Sequence, residues 1–281
     1  MKRIGIVGRG FVGSAVEFGF SAQTGCNAII KVYDKDEKLS LHSLEETVNE
    51  SDFIFVSVPT PSNEDGSINL DILTSALSSI NKINTRNNII LVRSTIIPGT
   101  TKKLQKLFTN LNLVFNPEFL TERSAKYDFI NQSRFILGGD KIHTDLVAKL
   151  FKWRFGQSVP VIQTNFETAE LIKYMNNCFF AAKVSFLNEM KRLNDEIGGD
   201  WDIAIEGFVR DGRVGHSHVS VPGPDGRLGF GGSCFPKDIQ AIIHLADQLD
   251  IDLHTLKGAW KTNLVVRPEK DWKKLKGRSI V

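Results

Sequence analysis

The stretch Gly229-Phe-Gly-Gly-Ser-Cys-Phe-Pro-Lys-Asp238 sets a thiol on a glycine-rich turn just ahead of a proline. Glycine adopts positive φ without steric cost, and proline is favoured in the first turn of a helix. An amphipathic run over 239–249 follows, so Cys234 is predicted at or just ahead of a helix N-terminus. Unpaired N–H groups and the helix dipole there favour an anion and lower a thiol's pKa. With Lys237 and Asp238 close behind, the Cys is built like a nucleophile; the alternative is a buried structural Cys in a tight loop. Lys173 and Asn177 lie four residues apart in a helical pattern and share a face. A Lys on an apolar stretch either acts or snorkels, and the pattern leaves both open.

A second stretch is suited to a different task. The apolar run 3–7 ends in Gly8-Arg-Gly-Phe-Val-Gly13, a helical pattern covers 11–20, and a second apolar run, 28–33, ends in Asp34. Strand, G-x-G-x-x-G, helix, strand and acid form the dinucleotide fingerprint in its required context. Gly8 makes the turn, Gly10 lets backbone approach a pyrophosphate, and Gly13 permits close helix–strand packing. Asp34 accepts hydrogen bonds from the adenosine ribose, which favours NAD over its 2′-phosphorylated form.

The elements that position these residues follow from the alternation. Apolar runs at 53–58, 89–92, 111–115 and 135–137 read as buried parallel strands, with helices near 70–83, 100–108 and 143–155 between them. The fold class is therefore α/β: an N-terminal Rossmann doubly wound parallel sheet, then a long central helix and a small all-α domain. Loops at strand ends, Pro59-Thr-Pro61, Ser94-Thr95 and Asn116-Pro-Glu118, are candidate cofactor and substrate contacts. Thr164 and Glu167 match a capping box, and helical pattern runs to Ile197 before two glycines. The expected domains are 1–163, NAD-binding; 164–199, a long helix that forms a dimer; and 200–281, helical, with the Cys and a basic tail.

The bulk numbers agree with an ordinary globular chain. It has 281 residues, 41% hydrophobic and 24% charged, with 35 basic against 32 acidic side chains. That balance does not point to nucleic acid or a membrane surface; Lys273, Lys274, Lys276 and Arg278 cluster as a solvated tail. Three Cys at unrelated spacings suggest neither disulfides nor a metal cluster. His216 and His218 read as exposed loop residues, so no metal is expected. No apolar run is long enough to span a membrane and the chain opens on a strand, so a reducing, cytoplasmic compartment is expected.

Taken together, the motifs resemble the UDP-glucose/GDP-mannose dehydrogenase family. The matching stretches are Gly5-Ile-Val-Gly-Arg-Gly-Phe-Val-Gly13, Val58-Pro-Thr-Pro61, Arg93-Ser-Thr95 and Asn116-Pro-Glu-Phe-Leu-Thr-Glu122. Ala169-Glu-Leu-Ile-Lys173 with Asn177, Asp211-Gly-Arg213 and the Cys234 turn continue them in the family's order. The resemblance implies a four-electron oxidation in which a nucleotide-sugar alcohol becomes a carboxylate and two NAD are reduced. UDP-glucose to UDP-glucuronate is the default; GDP-mannose or a UDP-N-acetylhexosamine is the alternative, as is a non-catalytic NAD-binding remnant.

The resemblance also implies roles. Cys234 forms a thiohemiacetal and then a thioester, Lys173 and Asn177 stabilise the oxyanion, and Asp238 orients Lys173 or the attacking water. Glu118 and Glu122, with Thr95, hold and deprotonate that water, with the base left open between the two. NAD contacts are implied for Gly8, Gly10, Phe11, Val12, Gly13, Asp34, Thr60, Pro61, Thr95, Glu122 and Lys237. Nucleotide-sugar contacts are implied for Glu118, Phe119, Leu120, Lys173, Asn177, Phe230 and Gly231, and for Arg213 reaching a neighbouring subunit of a homodimer. The chain departs from the family in ending where its C-terminal nucleotide-binding domain would begin. The stretch between Asp34 and Phe53 is also shorter, and the loop 216–227 longer and more polar, than usual.

Overall fold

A computed structural model describes residues 1–277 and 279–281; Arg278, the last member of the basic cluster, lies outside the described residues. The apolar runs become strands that are short and covered on both faces. In chain order the first half reads β1 (Arg3–Val7), α1 (Phe11–Phe20), β2 (Ile29–Tyr33), α2 (Leu44–Asn49), β3 (Phe53–Val56) and α3 (Asp71–Ile83). It continues with β4 (Ile89–Val92), α4 (Thr100–Leu107), β5 (Asn112–Phe115), α5 (Ala125–Ile130), β6 (Phe135–Gly138), α6 (Lys141–Phe155) and β7 (Val161–Thr164). Every residue of β3, β4 and β6 is buried, as continuous apolar runs under helices on both faces require.

The strands form one seven-stranded sheet in the order β2-β1-β3-β4-β5-β6-β7. The strands from β2 to β5 in that order pair in parallel. Two features differ from the sequence reading. First, β6 runs antiparallel to β5 through the pair Phe115 and Gly138; a buried strand is apolar whichever way it runs, so direction is not in its composition. Second, β7 adds to β6 in parallel, and its half-exposed Val-Ile-Gln-Thr has no unbroken apolar signature. One face of the sheet carries an aromatic layer in which Phe135 stacks on Phe151 at 4.1 Å and Phe20 meets Phe55 at 5.7 Å. Aliphatic residues from α3 and α4, among them Leu73, Leu77, Ile80 and Leu104, cover the other.

The second half of the chain is helical: α7 (Phe166–Glu196), α8 (Trp201–Val209), α9 (Phe235–Gln248) and α10 (His254–Val266). At 31 residues, α7 is about 46 Å long. Its start is capped by Asn165, whose Oδ1 accepts from Thr168 N at 2.8 Å. The expected Thr164–Glu167 box is replaced, because Thr164 ends β7 and Glu167 accepts from Lys102 Nζ at 2.8 Å. The chain divides into two compact units, Met1–Thr60 with Leu70–Lys173, and Pro61–Asn69 with Tyr174–Val281. Their boundary falls inside α7. Within the second unit the chain's last residues lie along Pro61–Asn69, with Ser62 N donating to Ser279 O at 2.9 Å. Among the described residues no helix is long and apolar enough to cross a membrane.

Candidate functional site

The glycine turn after β1 is fixed by crowding. Gly8 sits at φ 93°, and a Cβ there would lie 2.5 Å from Ser57 O. A Cβ at Gly13 would collide with the carbonyl of Gly8, so α1 can pack this closely on the turn only with glycine at both places. Beside Gly10 the same construction meets nothing within 4 Å. No side chain caps α1 and no acid stands in its first turn, which leaves the positive end of its dipole facing that open side. Half-buried Phe11 and Val12 form the first turn.

Asp34, at the end of β2, accepts from Arg9 N at 2.5 Å through one oxygen and from Asp36 N at 2.9 Å through the other. Each carboxylate oxygen keeps capacity for a further donor, as a ribose diol needs. The Arg9 guanidinium is engaged by Glu17 at 2.8 Å. Thr60 donates to Thr95 O at 2.7 Å, tying the loops after β3 and β4 together. These residues fit NAD: a glycine surface for the diphosphate, a helix start for its charge and a carboxylate for the ribose.

Within the same unit the loop after β5 delivers a buried ion pair. Lys173 Nζ donates to Glu118 Oε1 at 2.8 Å and to the Glu118 carbonyl at 2.5 Å. Their side chains are 4% and 7% exposed. Leu120 N donates to the other carboxylate oxygen at 2.8 Å. Burial alone pushes the Glu118 carboxyl up, but Lys173, the Leu120 amide and the more distant Arg93 together carry it below its ordinary value. The Phe119 ring lies under the Arg134 guanidinium at 4.5 Å and beside Lys173 at 5.5 Å, and Leu120 is buried. Glu122 is exposed in a one-turn 3-10 helix, Glu122–Ser124. The two carboxylates proposed for the water therefore stand in unlike settings.

The second unit carries the thiol. Cys234 is the N-cap of α9, with proline in the first turn, as predicted. It is half-buried, and Ser233 Oγ lies 3.7 Å from its sulfur. One helical turn on, Asp238 is 1% exposed. It accepts from Asn177 Nδ2 at 2.6 Å and, through its other oxygen, from Lys237 Nζ at 2.6 Å. Asn177, Lys237 and Asp238 are thus one buried cluster within this unit. Three residues that the sequence reading passed over hold the turn itself. Asn188 Oδ1 accepts from Gly229 N at 3.1 Å, and Asn263 Oδ1 accepts from Phe230 N at 2.7 Å. Arg267, 2% exposed, bonds Asp225 and Asp271, and a Cβ on Gly231 would overlap its guanidinium. Gly229 itself is at φ 67°.

Arg213 is 90% exposed and held by Asp211 at 2.5 Å. His218 is exposed, as expected, yet its ring stacks on Phe180 at 4.2 Å. Burial on that side, with Lys183 nearby, lowers its pKa. Lys183 Nζ donates to the carbonyls of Val214, Gly215 and Ser217, anchoring the loop to α7. Among the described residues no group of three or more His, Cys, Asp or Glu is gathered to hold a metal.

A dinucleotide-type α/β unit joined to a helical unit with a thiol at a helix start defines the class of protein. Family-level comparison agrees and narrows it. Residues 22–153 match the UDP-glucose/GDP-mannose dehydrogenase family, NAD binding domain, and residues 167–264 match the same family's central domain. The chain belongs to that family. It is similar to UDP-glucose 6-dehydrogenase YwqF of Bacillus subtilis, 32% identical over 250 residues, covering 86% of this chain and 55% of YwqF. It is also similar to UDP-glucose 6-dehydrogenase of Rickettsia prowazekii, 36% identical over 217 residues, covering 75% of this chain and 49% of the relative. A UDP-glucose dehydrogenase structure from Pyrobaculum islandicum superimposes with TM-score 0.83 at 27% identity, over 94% of this chain and 68% of that one. The chain spans about half the length of these curated relatives. The cofactor of the family's first domain is NAD.

Proposed function

We propose that the chain carries the catalytic machinery for NAD-dependent oxidation of a nucleotide-sugar primary alcohol to a carboxylate, with UDP-glucose the first substrate to test. The observation that carries this reading is Cys234 at the start of α9 on a glycine turn, with the Asn177–Asp238–Lys237 cluster one turn behind it. The names of the relatives support the substrate. When bound, NAD accepts a hydride in each of two oxidations. Gly8, Gly10, Phe11, Val12, Gly13 and Asp34 hold it, with Thr60, Pro61, Thr95, Glu122 and Lys237 around it.

The residues of the chain do the rest. The first oxidation leaves an aldehyde, whose carbon has no hydroxyl–hydride pair to give up. The Cys234 thiolate bonds to that carbon and the carbonyl oxygen takes a proton, giving a thiohemiacetal that can lose hydride and proton to become a thioester. Water then adds, the carbon–sulfur bond breaks, and acid and thiol are released. Lys173 and Asn177 donate to the oxygen as its charge grows. Glu118, buried and ionised, takes the proton of the attacking water, with Thr95 beside it. Phe119, Leu120, Phe230 and Gly231 line the sugar nucleotide, and Arg213 reaches that of a neighbouring subunit in a homodimer formed along α7. Counting NADH against UDP-glucose, GDP-mannose and UDP-N-acetylhexosamines tests the reading. Two NADH per sugar with an acid product is expected; one NADH with an aldehyde product removes the thioester route.

A further inference from the structure

Among the buried charged residues that this chemistry leaves idle is Arg93. It follows β4 directly, is 2% exposed, and points between Phe55 and Phe129, whose ring centres lie 6.0 and 5.6 Å from its guanidinium carbon. Its Nη1 donates to Asn116 Oδ1. Nε and Nη2 have no hydrogen-bond partner among the described residues. A buried guanidinium so poorly satisfied is costly to the fold, and an apolar side chain would fill the space between the two rings more cheaply. Such a group calls for a reason beyond packing.

Its position supplies one. Asn116, the residue Arg93 bonds, stands two residues before Glu118 and is itself fixed, with its N–H on Val92 O at 2.9 Å and its Nδ2 on Ile136 O at 2.9 Å. The Glu118 carboxylate therefore has one cation in contact, Lys173 from α7, and a second behind it at the end of β4. The charges that act most strongly on Glu118 are these two, with the Leu120 amide donating to it as well; Arg134 faces the neighbouring Phe119 ring. We propose that Arg93 is a positioning residue that keeps Glu118 a carboxylate when the Lys173 ammonium turns from it towards a reacting oxygen. The proposal deepens the proposed function and rests on its assignment of Lys173. Without Arg93, a carboxylate so deeply buried would take a proton as soon as Lys173 left, and would no longer be available to take one from water. Burial pulls the Arg93 pKa down to about 10, with Glu118 opposing the fall, so the guanidinium remains charged at neutral pH.

The test reads Glu118 directly, without sugar or cofactor. Its carboxyl band is followed by infrared difference spectroscopy against pH, with Glu118→Gln as the subtraction. In Lys173→Met, which mimics the turned lysine, adding Arg93→Met is expected to raise the Glu118 midpoint by about one pH unit, a tenfold change in proton affinity. Arg93→Lys, which keeps the charge, restores it. Met is unbranched and apolar, so it is the substitution most easily accommodated between the rings, and circular dichroism checks that each variant is folded. If Lys173→Met does not fold, the same Arg93 comparison in the otherwise intact chain decides by the same upward shift. A midpoint that Arg93→Met leaves unmoved in a folded chain overturns the proposal and leaves Arg93 a packing role. The NADH count above fails or succeeds independently of this titration.

Discussion

Cys234 differs from the other two cysteines in its setting rather than its type. Cys26 and Cys178 are buried, and burial pushes both thiols up, in Cys178 with the Asp238 carboxylate adding to it. Cys234 is half-buried at the start of α9, where the dipole favours thiolate. At neutral pH a small alkylating reagent is expected to modify Cys234 first, and mass spectrometry of the digested protein checks the site. Cys234→Ser is expected to slow acid formation by about three orders of magnitude or more, as loss of a nucleophile does. Product analysis should then find the aldehyde, and unchanged acid formation would remove the residue from the mechanism. The Lys173–Glu118 pair makes a different kind of prediction. Removing one partner of a buried pair costs about 3–5 kcal/mol, whereas replacing both with apolar residues costs far less. Lys173→Met should therefore lower stability to denaturant by that amount, and Lys173→Met with Glu118→Leu should recover most of it.

A further buried carboxyl, which contrasts with Glu118, stands on helix α7 one turn before Lys173. Glu170, 0% exposed, accepts from Gly99 N at 2.6 Å, and from Thr101 N and Thr101 Oγ1 at 2.7 Å each. It thereby caps α4, whose own N-cap, Gly99, has no side chain to offer. Burial outweighs these bonds, with Glu167 adding slightly, and raises its pKa to about 6. The two carboxyls thus act in opposite directions. The folded pKa of Glu170 lies above the ordinary value of 4.5, so its contribution is most favourable below about pH 4.5 and falls as pH rises through about 6. The change is about 2 kcal/mol. Glu118, depressed by Lys173, contributes above its ordinary value and loses that contribution as pH falls through its lowered one. Glu170→Gln has no such titration. Its melting temperature relative to wild type should therefore rise as pH goes from about 4.5 to 7, and a constant difference would remove the assignment. None of this was legible locally. The positions of the first six strands, the glycine turn and the cap position of Cys234 were legible, because apolar runs and glycine–proline spacing act within a few residues. Glu170, Asn188, Asn263 and Arg267 serve backbone or side-chain groups 33 to 71 residues away, or brace a turn from another helix, and only the folded chain brings such groups together. Helices α2 and α5, six residues each, are too short for a periodic pattern to mark them.

The whole molecule has one feature that its own fold leaves unanswered. Leu171, Met175, Phe179, Phe186 and Leu193 are all exposed on α7, Met175 and Phe179 at 62% each. Their spacings of four and seven keep them on one face of the helix. Large apolar side chains in a continuous row are costly in water and mark association surfaces. A row along a single helix is self-complementary when a second copy lies antiparallel to it, as a two-fold axis requires. The expected state is thus a homodimer joined along α7, with its hydrophobic strip as the buried core of the interface. If that is so, folding and association are linked, and the melting temperature rises with protein concentration by mass action. Phe179→Asp with Phe186→Asp puts two charges into that strip while touching none of the residues assigned to chemistry. Light scattering should then report the mass of one chain in place of two, and the concentration dependence of melting should vanish. A double variant that keeps the mass of two chains would assign the strip to another partner.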